Sequence, residues 1–395
     1  MSISDSNRLH YLDALRGMLM LLGLVLHSAR PYDSNTWRVN NPEVWPVLDQ
    51  LVWSVHLFRM PAFFVVAGFF AMYLIRRRPT NLFVAERARR TLIPLTVTLV
   101  TLNVLQAWFI SRVTNGETKP FFSEVLLPAF WSGGVVSHLW FLACLAVYFA
   151  ATAAAAPWLR ALGSRGVEVS ARRATLILFA LVLGAATFRV GVAVVDKLTS
   201  PWLHQMIFGL ITPFTVLRYL PFFAIGVVLC AYPVLLQRFA RFTPWVVVVA
   251  AVGAAGLYVS AGESGIAWRA VQLFSRALLI WMVIRSLFAL FQRFANGPSP
   301  VIRYLSEASY SVYLFHHIVV IVVATMLIPS LLPVPAKMAM VMLSAAAVSL
   351  AVYHFAIRRS PLLAYLFNGA VRPDSPITVP SVRGGVGAVR AEHRG

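Results

Sequence analysis

The stretch YLDALRGMLMLLGLVLHSARPY, residues 11–32, decides the fold. About twenty mostly apolar residues carry a helix across a hydrocarbon core of about 30 Å. This run is long enough, holds Asp13 and Arg16 near its start, and closes on His27 and Arg30. It lacks the small-residue cleavage site of a secretory signal, so it reads as a retained span. Arg16 and His27 lie within roughly 20° of one helix face and about 16 Å apart along the axis.

The same pattern recurs along the chain. After Tyr11–Ala29 come Val52–Ile75, Thr91–Ser111, His138–Pro157, Ala174–Val195, Ile211–Ala231, Pro244–Ala261, Ala267–Leu290, Glu307–Ile328 and Ala336–Ile357. Pro213, Arg218 and Pro221 interrupt the sixth, and Arg269, Arg276 and Arg285 punctuate the eighth. The expected fold is therefore all-α and polytopic, with about ten transmembrane helices. Composition agrees: 59% of the 395 residues are hydrophobic and 12% charged, about half the charge that a soluble exterior carries. The lipid bilayer is the expected solvent.

A net charge of +20 raises nucleic acid as a partner, but the charges sit in short clusters between apolar runs, so none is expected. One set of loops holds Arg76–Arg78 with Arg87, Arg89 and Arg90, then Arg160, Arg165, Arg172 and Arg173, then Arg238 and Arg241, then Arg293 and Arg303. The alternate loops hold Arg30 and Arg38, Arg112 and Lys119, Lys197, no Lys or Arg after the seventh span, and Lys337. By the positive-inside rule both termini are cytoplasmic. Residues 1–367 then form one transmembrane domain, and 368–395, rich in Gly, Pro, Val and Arg, a disordered basic cytoplasmic tail. Cys144 and Cys230 lie in apolar runs without metal spacing and read as small buried side chains.

Charge inside a span costs about 2.5–3.5 kcal/mol on insertion scales, so such residues face the protein interior or water. His27 sits near the outer end of the first span, where a histidine can take and return a proton; an interfacial histidine bonded to a neighbouring helix is the plainer alternative. The second span, SVHLFRMPAFFVVAGFF, brings His56 and Arg59 to that level, and SHLWFL brings His138 and Trp140, although Trp140 also suits an aromatic belt. No His-x-x-x-His pair supports zinc, and no metal is expected. Toward the cytoplasm, Arg87 and Arg90 share a helix face with Arg89 adjacent. Such a pair suits a phosphate-rich ligand or simply sets topology. In SEASYSVYLFHHIVV, Ser309, Tyr310, Tyr313, His316 and His317 line an internal cavity or pack with satisfied hydrogen bonds.

Taken in order, DALRGMLMLLGLVLHSARPY, FRMPAFFVVAGFF, RARRTLIP, HLWFL, RYLPFFAIGVVL and SYSVYLFHH resemble the acyltransferase-3 group of integral membrane O-acyltransferases. The spacing around the first two segments looks most like its glucan-modifying protein C branch, associated with succinylation of periplasmic glucans. The resemblance implies that His27 is the essential first-helix histidine and Arg16 the first-helix arginine. Arg87 and Arg90, with Arg89, then form the donor-binding motif. It implies acyl-CoA, as succinyl-CoA, as a co-substrate rather than a permanent cofactor, a periplasmic glucan as acceptor, and the bacterial inner membrane as location. Another acyl group such as acetyl, or another envelope glycan, fits the same residues. A transporter for a polar lipid or sugar shares the spans and the buried charge. Asp33, Glu43 and Asp49 are the carboxylates expected near enough to orient His27.

Overall fold

The computed structural model describes residues 9–163 apart from 115 and 117, then 170–199 and 201–371. Among them no β-strand forms, and the only bridge joins Ile207 to Ile211. A bilayer explains this, because a helix satisfies every backbone group within its own segment. Nine helices among the described residues are long and apolar enough to cross a membrane, and the protein is a multi-pass membrane protein.

In chain order the helices are α1 His10–Ala29, α2 Val47–Arg77, α3 Thr80–Val113, α4 Trp140–Ala154 and α5 Ala171–Thr199. There follow α6 Pro213–Ala231, α7 Trp245–Val259, α8 Ile266–Phe294, α9 Pro300–Leu327, α10 Val334–Ile357 and α11 Pro361–Asn368. Each of the ten expected spans meets a helix. The seventh falls short of a full span: α7 has 15 residues, about 22 Å of helix, less than the hydrocarbon thickness, whereas α4, also 15 residues, is extended to 18 by the turn from Ser137. It lies along α8, where a Cβ on Gly253 would stand 2.9 Å from the Ser275 carbonyl oxygen.

α2 is the most enclosed span, with 72% of its apolar window buried. It meets α6 backbone to backbone, because a Cβ on Gly68 would strike the Phe223 carbonyl and one on Gly226 the Val65 carbonyl. Small residues let helices approach this closely where lipid supplies no hydrophobic drive between them. α1 closes on α9 in the same way, since a Cβ on Gly17 would stand 3.0 Å from Ser306 Cα. Phe64, Tyr148, Phe222 and Trp281 fill the core between these helices.

Two boundaries differ from expectation. α3 starts eleven residues before Thr91, because Arg, Glu and Ala sustain a helix beyond the apolar run. The loop Val113–Val136 contains a helical segment, Phe121–Trp131. Of the expected tail, 372–395 lies outside the described residues, as does Arg165. Residues 368–371 fold back: Ser311 Oγ donates to Asn368 Oδ1 at 3.0 Å, and Arg89 Nε to the Gly369 carbonyl at 2.9 Å. The punctuated eighth span is one helix. Arg285 donates to the Arg238 and Arg241 carbonyls at 3.1 and 3.3 Å and lies 4.5 Å from the Trp245 ring centroid. Its charge thus serves helix termini that lack their own partners.

Candidate functional site

Among the cavities of the helix bundle, two share one wall. The first, about 520 Å³, is lined by His27, His56, Arg59, His138, Trp140, Arg218, Tyr219, Arg276 and Tyr313. The second, about 430 Å³, is lined by Arg16, Phe63, Arg87, Arg90, Ser306, Ser309 and Tyr310. Phe141 of α4 lines both. Arg16 and His27 therefore do not share one cavity, as their common helix face allows. They mark two cavities at opposite ends of α1.

α9 builds both. Ser306, Ser309 and Tyr310 face the arginine cavity, and Tyr313, one turn on, faces the histidine cavity. The Tyr313 hydroxyl donates to the His138 carbonyl at 2.8 Å, fixing the start of α4 where His138 and Trp140 enter. Ser306, Ser309, Tyr310 and Tyr313 of the polar run thus line one or other of the two cavities, whereas His316 and His317 line neither.

His27 belongs to a cluster of four imidazoles with His138, His316 and His317. Its ring centroid lies 5.3 Å from that of His316 and 4.9 Å from that of His317. His317 stacks on His138 at 4.6 Å. Carbonyl and amide oxygens only accept, so the other contacts assign the tautomers. His316 Nδ1–H donates to the Val312 carbonyl at 2.8 Å, and His317 Nδ1–H to Gln106 Oε1 at 2.7 Å. His317 Nε2 is then free to accept from Ser137 Oγ at 3.5 Å. Among the described residues no group of three His, Cys, Asp or Glu is placed to hold a metal ion.

Among the described residues no carboxylate orients His27, whose Nδ1 is buried without a hydrogen-bond partner. Asp33 pairs with Arg30 at 2.5 Å, and Asp49 accepts from Ser34 N and Oγ at 2.8 and 2.7 Å. The Glu43 carbonyl accepts from Asn41 Nδ2 at 2.6 Å, and among the described residues its carboxylate forms no ion pair. Packing holds the ring instead, with Trp37 stacked on it at 5.9 Å.

At the arginine cavity Glu86 is shared by three guanidiniums. It meets Arg87 at 3.2 Å, Arg90 at 3.4 Å, and Arg78. One carboxylate among three cations leaves the mouth positive. Arg87 also lies 5.6 Å from the Phe149 ring centroid. Arg16 pairs with Asp13 at 3.7 Å and donates to Ser306 Oγ at 3.4 Å. Arg89 departs from its neighbours, turned to the Gly369 carbonyl and absent from the cavity wall.

Trp37, Gln106, Ser137 and Tyr219 escaped the sequence reading. Gln106 carried a usable signal, an amide within an apolar span, as Asn103 does one turn earlier. Trp37, a loop residue, and Ser137, at the first turn of the fourth span, carried none, since packing alone brings them to the histidines.

Residues 9–354 match the acyltransferase domain family. Glucans biosynthesis protein C of Salmonella paratyphi A is 28% identical over 380 residues, covering 93% of this chain and 97% of that relative. The protein of the same name from Shigella dysenteriae serotype 1 is 28% identical over 381 residues, covering 92% and 95%. No solved structure matches.

Proposed function

Because the chain belongs to the acyltransferase domain family, we propose that it moves a succinyl group from cytoplasmic succinyl-CoA to hydroxyls of a periplasmic glucan, in a bacterial inner membrane. The observation that carries this reading is the pair of cavities meeting at Phe141, one positive at its mouth and one holding His27. Acyl-CoA brings phosphates, which suit Arg87 and Arg90. The loop charges put that end on the cytoplasmic side. The acceptor enters from the other side. Trp140 and Tyr219 stack there at 5.4 Å, a flat apolar face for a sugar ring beside polar groups for its hydroxyls.

The chemistry follows from His27. Its neutral ring takes the proton of an acceptor hydroxyl as that oxygen attacks the thioester carbonyl carbon. The tetrahedral oxyanion collapses, the carbon–sulfur bond breaks, and the CoA thiolate leaves. The imidazolium returns its proton to the thiolate, and the glucan carries a new ester. Arg218 and Arg276, in the cavity with His27, suit the free carboxylate of a succinyl group. An acetyl group would leave both without an anion. The resemblance to proteins named for glucan biosynthesis supports the acceptor class.

Mass spectrometry of periplasmic glucans tests the reading. Cells with the wild-type protein are expected to carry succinyl esters, and cells without it, or with His27→Ala, to lack them. Glucans of equal mass in all three, with no acyl-CoA consumed, would overturn acyl transfer and favour transport.

A further inference from the structure

One residue of the histidine cavity stands apart from the other cations. Arg59 of α2 is 8% exposed, and its Nε is buried with no hydrogen-bond partner. No carboxylate pairs with it among the described residues, although Asp33 neutralises Arg30 in the same cavity. A buried guanidinium without an anion is costly in a membrane span and marks a site where negative charge arrives.

The position of Arg59 depends on a glycine in another helix. A Cβ on Gly23 of α1 would stand 2.5 Å from Arg59 Nη1 and 3.5 Å from Cζ. A side chain there would push the guanidinium away from its seat against α1. Gly23 is one turn before His27, and side chains at that spacing are about 5–6 Å apart on one face. The α1 surface therefore presents the Arg59 cation and the His27 imidazole as neighbours, with the cavity in front of both. Arg218 and Arg276 are less enclosed.

We propose that Arg59, seated in the notch at Gly23, is the catalytic group that stabilises the oxyanion formed when an acceptor hydroxyl attacks the thioester. This rests on the acyl-transfer reading above. In the tetrahedral intermediate the carbonyl π electrons become a full charge on oxygen, and the Arg59 N–H groups donate to it. The charge returns to carbon as CoA leaves, so Arg59 neither gains nor loses a proton. A fixed donor in a site closed to water stabilises developing charge more than a hydrated one does.

The experiment uses the full chain in nanodiscs, with succinyl-CoA and a gluco-oligosaccharide acceptor. Arg59→Gln is expected to lower kcat at least about 100-fold, the loss seen on removing one oxyanion donor. KM for both substrates should stay within about twofold, the mark of a contact made only in the transition state. Arg59→Lys, which keeps the charge, is expected to recover part of kcat. Gly23→Ala leaves Arg59 in place chemically but fills its notch, and is expected to lower kcat in the same way. Butyryl-CoA, which lacks the terminal carboxylate, separates the roles: the same fractional loss is expected with either donor. A loss confined to succinyl-CoA, or a rise in KM at constant kcat, overturns the proposal and makes Arg59 a carboxylate-binding group. An active wild type whose Arg59→Gln variant keeps its kcat removes this inference alone. A wild type that consumes no acyl-CoA removes the acyl-transfer reading and this inference with it.

Discussion

Phe63 and Phe141 meet edge to face, their ring centroids 4.6 Å apart, where the two cavities adjoin. Phe141 lines both cavities and Phe63 the arginine one. On the proposed acyl-transfer reading, a thioester held near Arg87 passes this pair to reach His27, and the pair is the barrier that separates donor from acceptor.

Phe141→Ala removes that barrier. The variant is expected to release free CoA from acyl-CoA without a glucan acceptor, while the wild type does so slowly. A thiol assay with and without acceptor measures the ratio of hydrolysis to transfer. Unchanged coupling would mean that other residues close the passage.

His27→Ala is expected to lower transfer by about 10²–10⁴-fold, the range for losing a positioned proton-transfer group. Binding of CoA at the other cavity should be unaltered, because His27 does not line it. Calorimetric titration with CoA checks this. A matching loss of CoA affinity would point to a collapsed fold rather than a missing base.

Much of this arrangement was readable before the structure. Lipid leaves the backbone only the helix, so apolar runs convert directly into elements. Rise per residue then sorts charges by depth, which separated Arg16 from His27 along α1. Neighbour relations were not readable. His317 finds Gln106 across 211 positions and Ser137 across 180. Nothing local in either segment encodes those meetings. The same limit made Asp33, Glu43 and Asp49 look available to His27, since only packing reveals that Asp33 and Asp49 face other partners. The split between two cavities was hidden too, because Phe141 reads as one more apolar residue.

The arginines of α3 separate into two roles. Arg87→Ala is expected to raise KM for acyl-CoA by about 10–100-fold, the equivalent of one charge-assisted hydrogen bond. Arg90 is more exposed, 51% against 18% for Arg87, and its replacement should cost less. Arg89→Ala should leave KM within about twofold, because Arg89 holds the Gly369 carbonyl instead. Steady-state kinetics over a salt series checks the order. Equal effects at Arg87 and Arg89 would contradict it.

Gly226→Ala tests the contact between α2 and α6. Its Cβ would run into the Val65 carbonyl, and backbone on an enclosed helix yields little. A cost of about 1–3 kcal/mol is expected, typical of overpacking. Gly184→Ala on α5 is the control, since nothing lies within 4 Å of a Cβ there. Helix propensity alone favours alanine at such a site by up to about 1 kcal/mol. Thermal unfolding in detergent is expected to move down for the first and hold or rise for the second. A Gly226→Ala protein as stable as wild type would show that the helices can part without loss.

The acyl preference tests Arg218 and Arg276. Both line the cavity that holds His27, and Arg218 lies 5.6 Å from the Tyr219 ring centroid, at the face suited to a sugar. A succinyl group carries a carboxylate that one of these cations would bind, whereas an acetyl group carries none. Replacing both by Gln is expected to lower kcat/KM for succinyl-CoA by about 100-fold, since the anion then loses its charge-assisted contacts in a partly closed site. Acetyl-CoA should be used no worse than by the wild type, so the ratio between donors falls. If both donors suffer equally, the two arginines serve the acceptor or the fold, and the acyl group must be chosen elsewhere in the cavity. If neither suffers, the carboxylate is bound by another cation, and Arg59 is the next to test.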